Sequence, residues 1–249
     1  RQMCIRDRYT YVHFLGGVIL MSGIAAHISL TGNADIVSLN AGFDVLFTTN
    51  INTTTISVWF ILIGVLINAA APPLSSWLAD AYPEGSPFGT VFLSAFTTKT
   101  AVFVLLNIFA GSQVLIFVGL FMIFYGIIYA ILENDMRRIL AYSIINQVGF
   151  MVTGIGIGTD LALAGVATHA FCHIIYKALL FMSAGSVLYM TGKSKCSELG
   201  GLFRTMKVTT CCGIVGALAI SAFPLTSGFV SKSIISVSYT HLRAHETRP

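Results

Sequence analysis

The chain has 249 residues, of which 55% are hydrophobic and only 10% charged, and its mean hydropathy is +0.83. Soluble domains carry about 25% charged residues, so a soluble enzyme or binding module is excluded, and several apolar runs approach the roughly 20 residues that cross a bilayer. The formal net charge is +4, but with the two polar ends set aside nine Lys/Arg face eight Asp/Glu, which leaves no basic footprint for nucleic acid.

Hydropathy predicts an all-α polytopic membrane protein with seven spans, at 11–30, 55–71, 87–110, 113–132, 139–157, 162–190 and 208–229. Residues 1–10 and 237–249 are abruptly polar against the spans beside them. Both read as non-native tails of the kind left by translated adapter sequence, leaving 11–236 as the transmembrane domain. In the first span, His27 is expected at the outer interface. The second runs into Pro72-Pro73, which must end or break the helix there.

The loops fix the orientation. With Arg137 and Arg138 in the cytoplasm, alternation brings Lys193, Lys195, Arg204 and Lys207 to the same side. Loops 31–54, 111–112 and 158–161 then lie outside with Asp35, Asp44 and Asp160 and no Lys or Arg. That six-to-zero split satisfies the positive-inside rule. The segment 72–86, with Asp80 and Glu84, falls on the cytoplasmic side.

Charged groups at the centre of a bilayer cost about 2.5 kcal/mol or more, so each needs a reason. Lys99 lies halfway along its span in "SAFTTKTAVF". In "ATHAFCHIIYKALLF" His169, His173 and Lys177 follow at four-residue steps. Such steps share one helix face, about 6 Å apart and spread over roughly 12 Å, short enough for one water to bridge each gap. Imidazoles titrate near neutral pH and a buried amine can be brought there, so the pattern suits a proton wire. An ion pair or a bond to backbone carbonyls is the structural alternative. Asn146 and Gln147, on the helix after Arg137 and Arg138, suit either water beside the wire or hydrogen bonds between helices.

The segment 162–190 is nearly 30 residues long, and Gly165 and Gly185 lie near its ends. It is expected to be either strongly tilted or interrupted, and interrupted helices at membrane depth line polar cavities. The five cysteines form no CxxC and read as small packing residues. His169 and His173 have the spacing of a metal pair, but no Glu or Cys completes a site and Lys177 would repel a cation, so no metal is expected. "GIGIG" at 154–158 follows no strand and is no nucleotide loop. No hydrolytic constellation and no flavin, haem or quinone site is visible, so no cofactor and no active site of its own are assigned.

Five segments, "PPLSSWLADAYPEGSP", "FLSAFTTKTAVF", "ENDMRRILAYSIINQVGF", "HAFCHIIYKALLF" and "FPLTSGFVSK", together resemble the proton-conducting antiporter-like family. That family comprises large membrane subunits of Mrp-type cation/proton antiporters and of respiratory complex I. The likeness covers 11–236, with "TTKTAV" leaning toward the D-type membrane component of an Mrp antiporter. It implies a fragment of an inverted-repeat transmembrane helix bundle with broken helices, joined by a hydrophilic mid-membrane axis. It places Lys99, His169, His173 and Lys177 on that axis, and Lys232 at the lysine of "GFxSK". Arg137 takes the place of a lysine at a helix start. Asn68 stands where the family usually has a lysine paired to a glutamate on an earlier helix, which argues for a rearranged path.

The implied function is a membrane subunit that conducts protons through Lys99, His169, His173 and Lys177, with Asn68, Gln147 and Arg137 alongside. Exchange of Na⁺ or K⁺ in a hetero-oligomeric complex of a bacterial inner (plasma) membrane would be coupled to it. The alternative of another class is a subunit of NADH-quinone oxidoreductase or a related membrane hydrogenase, driven by electron transfer elsewhere. A scaffold without transport is the third.

Overall fold

In the computed structural model, apolar runs become helices that bury small residues against one another and turn large ones outward. The structure describes residues 2–35 and 53–246, with side chains described for 4–35 and 53–240. Asp44 of the expected outer loop, Arg1 and residues 247–249 lie outside the described residues. No strand occurs among the described residues. The helices are α1 (Gln2–Thr31), α2 (Thr53–Asn68), α3 (Ser76–Glu84), α4 (Pro87–Ile108), α5 (Gln113–Leu132), α6 (Met136–Ile157) and α7 (Asp160–Thr191). A 3₁₀ turn, Cys196–Glu198, and the short α8 (Leu202–Thr205) lead to α9 (Lys207–Ile220) and α10 (Ser227–Glu246). Five of these helices are long and apolar enough to span a membrane, namely α1 and α4 to α7.

Helix α6 occupies the centre. Its Ala141, Ile144, Ile145, Val148, Met151, Val152 and Ile155 are all fully buried. Against it lies α5, held close by glycines on both helices. A Cβ at Gly149 would come 2.7 Å from Met122 Cβ, and one at Gly126 would come 2.6 Å from the Asn146 backbone nitrogen. Small residues of this kind are how membrane helices gain contact without a hydrophobic drive between them. The other face of α5, with Phe117, Phe121 and Phe124, is exposed, as expected of a surface against lipid.

Contacts at the two ends agree with the loop assignment. At one end Met136 N donates to Ser194 O at 3.0 Å and Cys196 N to Asn134 O at 2.9 Å. Arg137 bonds Pro83 and Gly85 at the same end. The loops around residues 85, 134 and 195 are therefore together. At the other end Gly111 N donates to Ile155 O at 2.9 Å, and Thr159 Oγ1 meets Ser238 Oγ at 2.6 Å.

Two expectations change. The segment 162–190 is one continuous helix of 32 residues, α7, so interruption is ruled out there. Its glycines are contact points instead of breaks: a Cβ at Gly165 would come 2.8 Å from Ile235 Cγ1. The predicted span 208–229 is the broken one, with α9 ending at Ile220 and α10 starting at Ser227. Pro224 has no N–H to continue the ladder, and the apolar "SAFPL" hides the break from hydropathy.

The break at Pro72-Pro73 occurs as expected and is built like the second. Ala69, Ala70 and Ala71 donate to Val65, Ile67 and Leu66, while Ser221, Ala222 and Phe223 donate to Ala217, Ala219 and Leu218. Ala70 and Ala222 both take positive φ, 61° and 59°, an unusual conformation for a side-chain-bearing residue. Helix α2 runs into its break toward the end that holds the loops around residues 85, 134 and 195, and α9 runs into its break away from that end. The same device thus points in opposite directions, which is the mark of an inverted repeat.

The cysteines, read as small packing residues, are at most half-buried. Cys196 and Cys211 are exposed, and Cys172 and Cys212 are half-buried. His27, expected at the outer interface, lies one turn before the end of α1, is buried, and has no protein partner at either ring nitrogen.

Candidate functional site

Helix α7 is amphipathic in the reverse sense of a soluble helix. His169, His173 and Lys177 are completely buried, whereas Phe171, Ile175 and Met182 are exposed. The four-residue spacing does place the three on one face. Helix α7 packs against α4, α6, α9 and α10, and α6 and α10 supply the hydrogen-bond partners of the stripe.

His169 is the best-bonded member. Its Nε2 lies 3.1 Å from Gln147 Oε1 on α6 and its Nδ1 lies 2.8 Å from Ser231 Oγ on α10. Phe150 packs edge-on against the ring, with centroids 5.7 Å apart. His173 is the opposite case: both ring nitrogens are buried with no protein partner. Its ring lies 6.1 Å from that of His169 and 5.2 Å from that of Tyr176, whose hydroxyl is also without a partner. Lys99, Lys177 and Lys232 all act electrostatically on His173.

The amines are held by neutral oxygens. Lys177 Nζ donates to Leu140 O at 2.9 Å and to the Ser143 hydroxyl, and lies 5.9 Å from the centre of the Phe181 ring. Lys99 is buried on α4, where Nζ donates to Ser94 O at 2.8 Å and Thr98 Oγ1 at 3.1 Å. Lys232 Nζ donates to Ile220 O at 2.7 Å, so it caps the carbonyl end of α9 inside the break, where the helix dipole favours a cation. Among the described residues, no ion pair includes Lys99, Lys177 or Lys232. Nor do three His, Cys, Asp or Glu side chains gather anywhere among them.

Two predicted residues lie apart from this cluster. Arg137 is at the end of the bundle that holds the loops around residues 85, 134 and 195, where its guanidinium donates to Pro83 O at 2.6 Å, Gly85 O at 2.8 Å, Tyr82 O at 3.2 Å and Thr90 Oγ1 at 2.7 Å. It ties α6 to the end of α3 and the start of α4. Asn68 turns its amide to Gly64 O, 3.3 Å away on its own helix. It lines a cavity of about 260 Å³ together with Thr97 and Thr100. Ser143, Ser231 and Tyr176 belong to the cluster and were missed in the sequence. Ser143 carried a usable signal, since it lies four residues before Gln147 on the same helix face, whereas Ser231 depends on the fold of the break.

The family model described as NADH:quinone oxidoreductase/Mrp antiporter, TM, matches residues 8–244. The chain belongs to this family. The D component of an Na⁺/H⁺ antiporter from Alkalihalophilus pseudofirmus is 31% identical over 236 residues, 90% of this chain and 47% of that protein. The N component of NADH-quinone oxidoreductase from Desulforudis audaxviator shows the same identity and the same shares. The chain thus spans about half the length of these antiporter-family relatives. Among solved structures, the Mrp complex from Dietzia sp. DQ12-45-1b contains a chain with a TM-score of 0.88 at 26% identity. That match covers 98% of this chain and 46% of the other. These findings establish a multi-pass membrane protein of the antiporter-like family, and the bundle and its broken helices are features of that fold.

Proposed function

We propose that this chain is a proton-conducting membrane subunit of a multisubunit cation/proton antiporter in a bacterial plasma membrane, exchanging protons for Na⁺ or K⁺. The observation that carries the reading is the buried stripe of α7. His169, His173 and Lys177 are fully buried beside Lys99; neutral groups are the partners of His169, Lys177 and Lys99, and His173 has no protein partner. An amine paired to a carboxylate cannot lose its proton without stranding a buried anion. One held by a carbonyl and a hydroxyl can. His173 and Tyr176 present three buried polar atoms without protein partners, and such groups are ordinarily satisfied by water. In this reading, water links Lys99, His173 and Lys177. Gln147 holds His169 to that route from α6, and Asn68 with Thr97 and Thr100 contributes the polar groups of a cavity otherwise lined by apolar residues. Arg137 acts from the cytoplasmic end by fixing the α3–α4 turn. Its likeness to the Mrp chain supports other membrane subunits as partners.

A second reading is favoured by the equal identity to the NADH-quinone oxidoreductase relative: the same path driven by electron transfer in another subunit. Sealed everted vesicles containing the full-length protein in its native complex separate the two. Antiport predicts that added Na⁺ or K⁺ collapses a preformed proton gradient with no electron donor present. A gradient indifferent to both cations, together with proton pumping that starts only on adding NADH or another reductant, would establish the second reading instead.

A further inference from the structure

The hydroxyl of Ser231 faces two kinds of acceptor. His169 Nδ1 lies 2.8 Å from Ser231 Oγ, while Ser227 O lies 3.1 Å away and Gly228 O 3.4 Å away on the turn of α10 behind it. On the other side of the imidazole, Gln147 Oε1 is a carbonyl oxygen and can only accept, so Nε2 carries its hydrogen. A neutral His169 must then accept at Nδ1, and Ser231 must be the donor. A positively charged His169 must donate at Nδ1, and Ser231 must be the acceptor. The hydroxyl satisfies both states, because its hydrogen can turn from Nδ1 to Ser227 O.

We propose that Ser231 is a positioning residue whose hydroxyl rotor lets His169 take up and release a proton without stranding a buried polar group. Ser231 first swings its own hydrogen to Ser227 O, which frees the Nδ1 lone pair. A water-borne proton on the path then moves to Nδ1, its O–H bond breaking as the N–H bond forms, and Ser231 accepts from the new N–H. On release the N–H bond breaks, the proton returns to water, and the hydroxyl turns back to Nδ1. Both atoms are buried, so an unmatched state would carry the full cost of a buried unsatisfied donor or acceptor. The charged and titratable groups that act on His169 are Lys232 and Lys99, with His173 one turn along. The rotor sits on the helix that starts at the second break, beside Lys232, which caps the half-helix α9. His169 protonation is thereby felt at the hinge between α9 and α10.

This inference rests on the proton-conducting reading, and the test keeps the two apart. Proton flux is measured across a range of pH in proteoliposomes holding the full-length complex with Ser231→Ala, Ser231→Thr or Lys177→Ala. Ser231→Ala is expected to lose about tenfold of flux, in line with one lost buried hydrogen bond, and to change the shape of the pH profile. Threonine, which keeps the hydroxyl, is expected to restore both. Should alanine prevent assembly, Ser231→Cys, a weak donor of similar size, is read in its place. Flux within twofold of wild type in the alanine variant, or a loss with an unmoved pH profile, would overturn the assignment of Ser231. If Lys177→Ala abolishes flux while Ser231→Ala does not, only Ser231 falls. If Lys177→Ala leaves flux intact, the proton-conducting reading itself fails.

Discussion

His169 and His173 share a helix face and a complete loss of solvent, yet they stand in opposite hydrogen-bonding situations, and that difference separates structure from transport. His169 is satisfied by Gln147 and Ser231, so His169→Leu strands Gln147, while Ser231 turns to Ser227 O, and should lower stability by about 1–3 kcal/mol. His173 makes no hydrogen bond to protein. His173→Leu removes unsatisfied polar atoms and fills the space, so stability should stay within about 1 kcal/mol of wild type, while proton flux is lost. Thermal unfolding of the purified complex, read beside flux, checks both. A His173→Leu protein that melts early would place the residue in the scaffold instead of the path. The acidic side is also informative at this scale: Asp80 is held by Arg8 at 2.7 Å and Arg138 at 3.9 Å, away from the buried stripe.

At the level of elements, the helices are placed by glycine contacts, by caps and by Arg137. Asp135 caps α6, accepting from Arg137 N at 2.9 Å and Arg138 N at 3.1 Å. The Arg137 side chain then clamps the end of α3. Arg137→Ala should leave Pro83 O and Gly85 O short of a donor, while Tyr82 O keeps the Thr90 hydroxyl, and cost about 3 kcal/mol, and Arg137→Lys should recover only part because an ammonium cannot reproduce the planar fork. Gly149→Val should push α5 from α6 and cost about 1–3 kcal/mol, seen as a lower Tm with no change in the pH dependence of flux. These elements show where the sequence was legible. The long apolar runs gave spans, and Pro72-Pro73 gave the first break, because two residues without N–H groups cannot be hidden. The second break was concealed by its apolar composition. Gly165 and Gly185 looked like breaks in α7 but are the sites where Ile235 and Pro87 approach it. A glycine that loosens a helix and one that admits a neighbour are identical in one dimension.

Across the whole molecule, the chain turns the usual arrangement of a protein inside out, with phenylalanines on the surface and lysines and histidines at the centre. The polar stripe was readable from its spacing alone, because three titratable residues at four-residue steps can share only one face. Its surroundings were not, since Ser231 and Ser143 reach it from helices distant in sequence. The two like breaks place α3 and α10 as opposed halves of one architecture, with α7 running unbroken between α4, α9 and α10. Such a frame holds the stripe rigid while the half-helix ends provide places for charge to be capped, as Lys232 is.

The central claim is that protons cross through the buried stripe, and Lys177 is its most enclosed charge. The most direct measurement is proton flux in proteoliposomes containing the full-length complex with Lys177→Ala, compared with Lys177→Arg and with wild type at equal assembly. Arginine keeps the charge but holds its proton permanently. The account predicts that both variants lose at least about tenfold of flux while the complex stays intact. Full flux in the arginine variant would mean that Lys177 supplies only a fixed charge, and full flux in the alanine variant would mean that protons take another way. Either result would contradict the account.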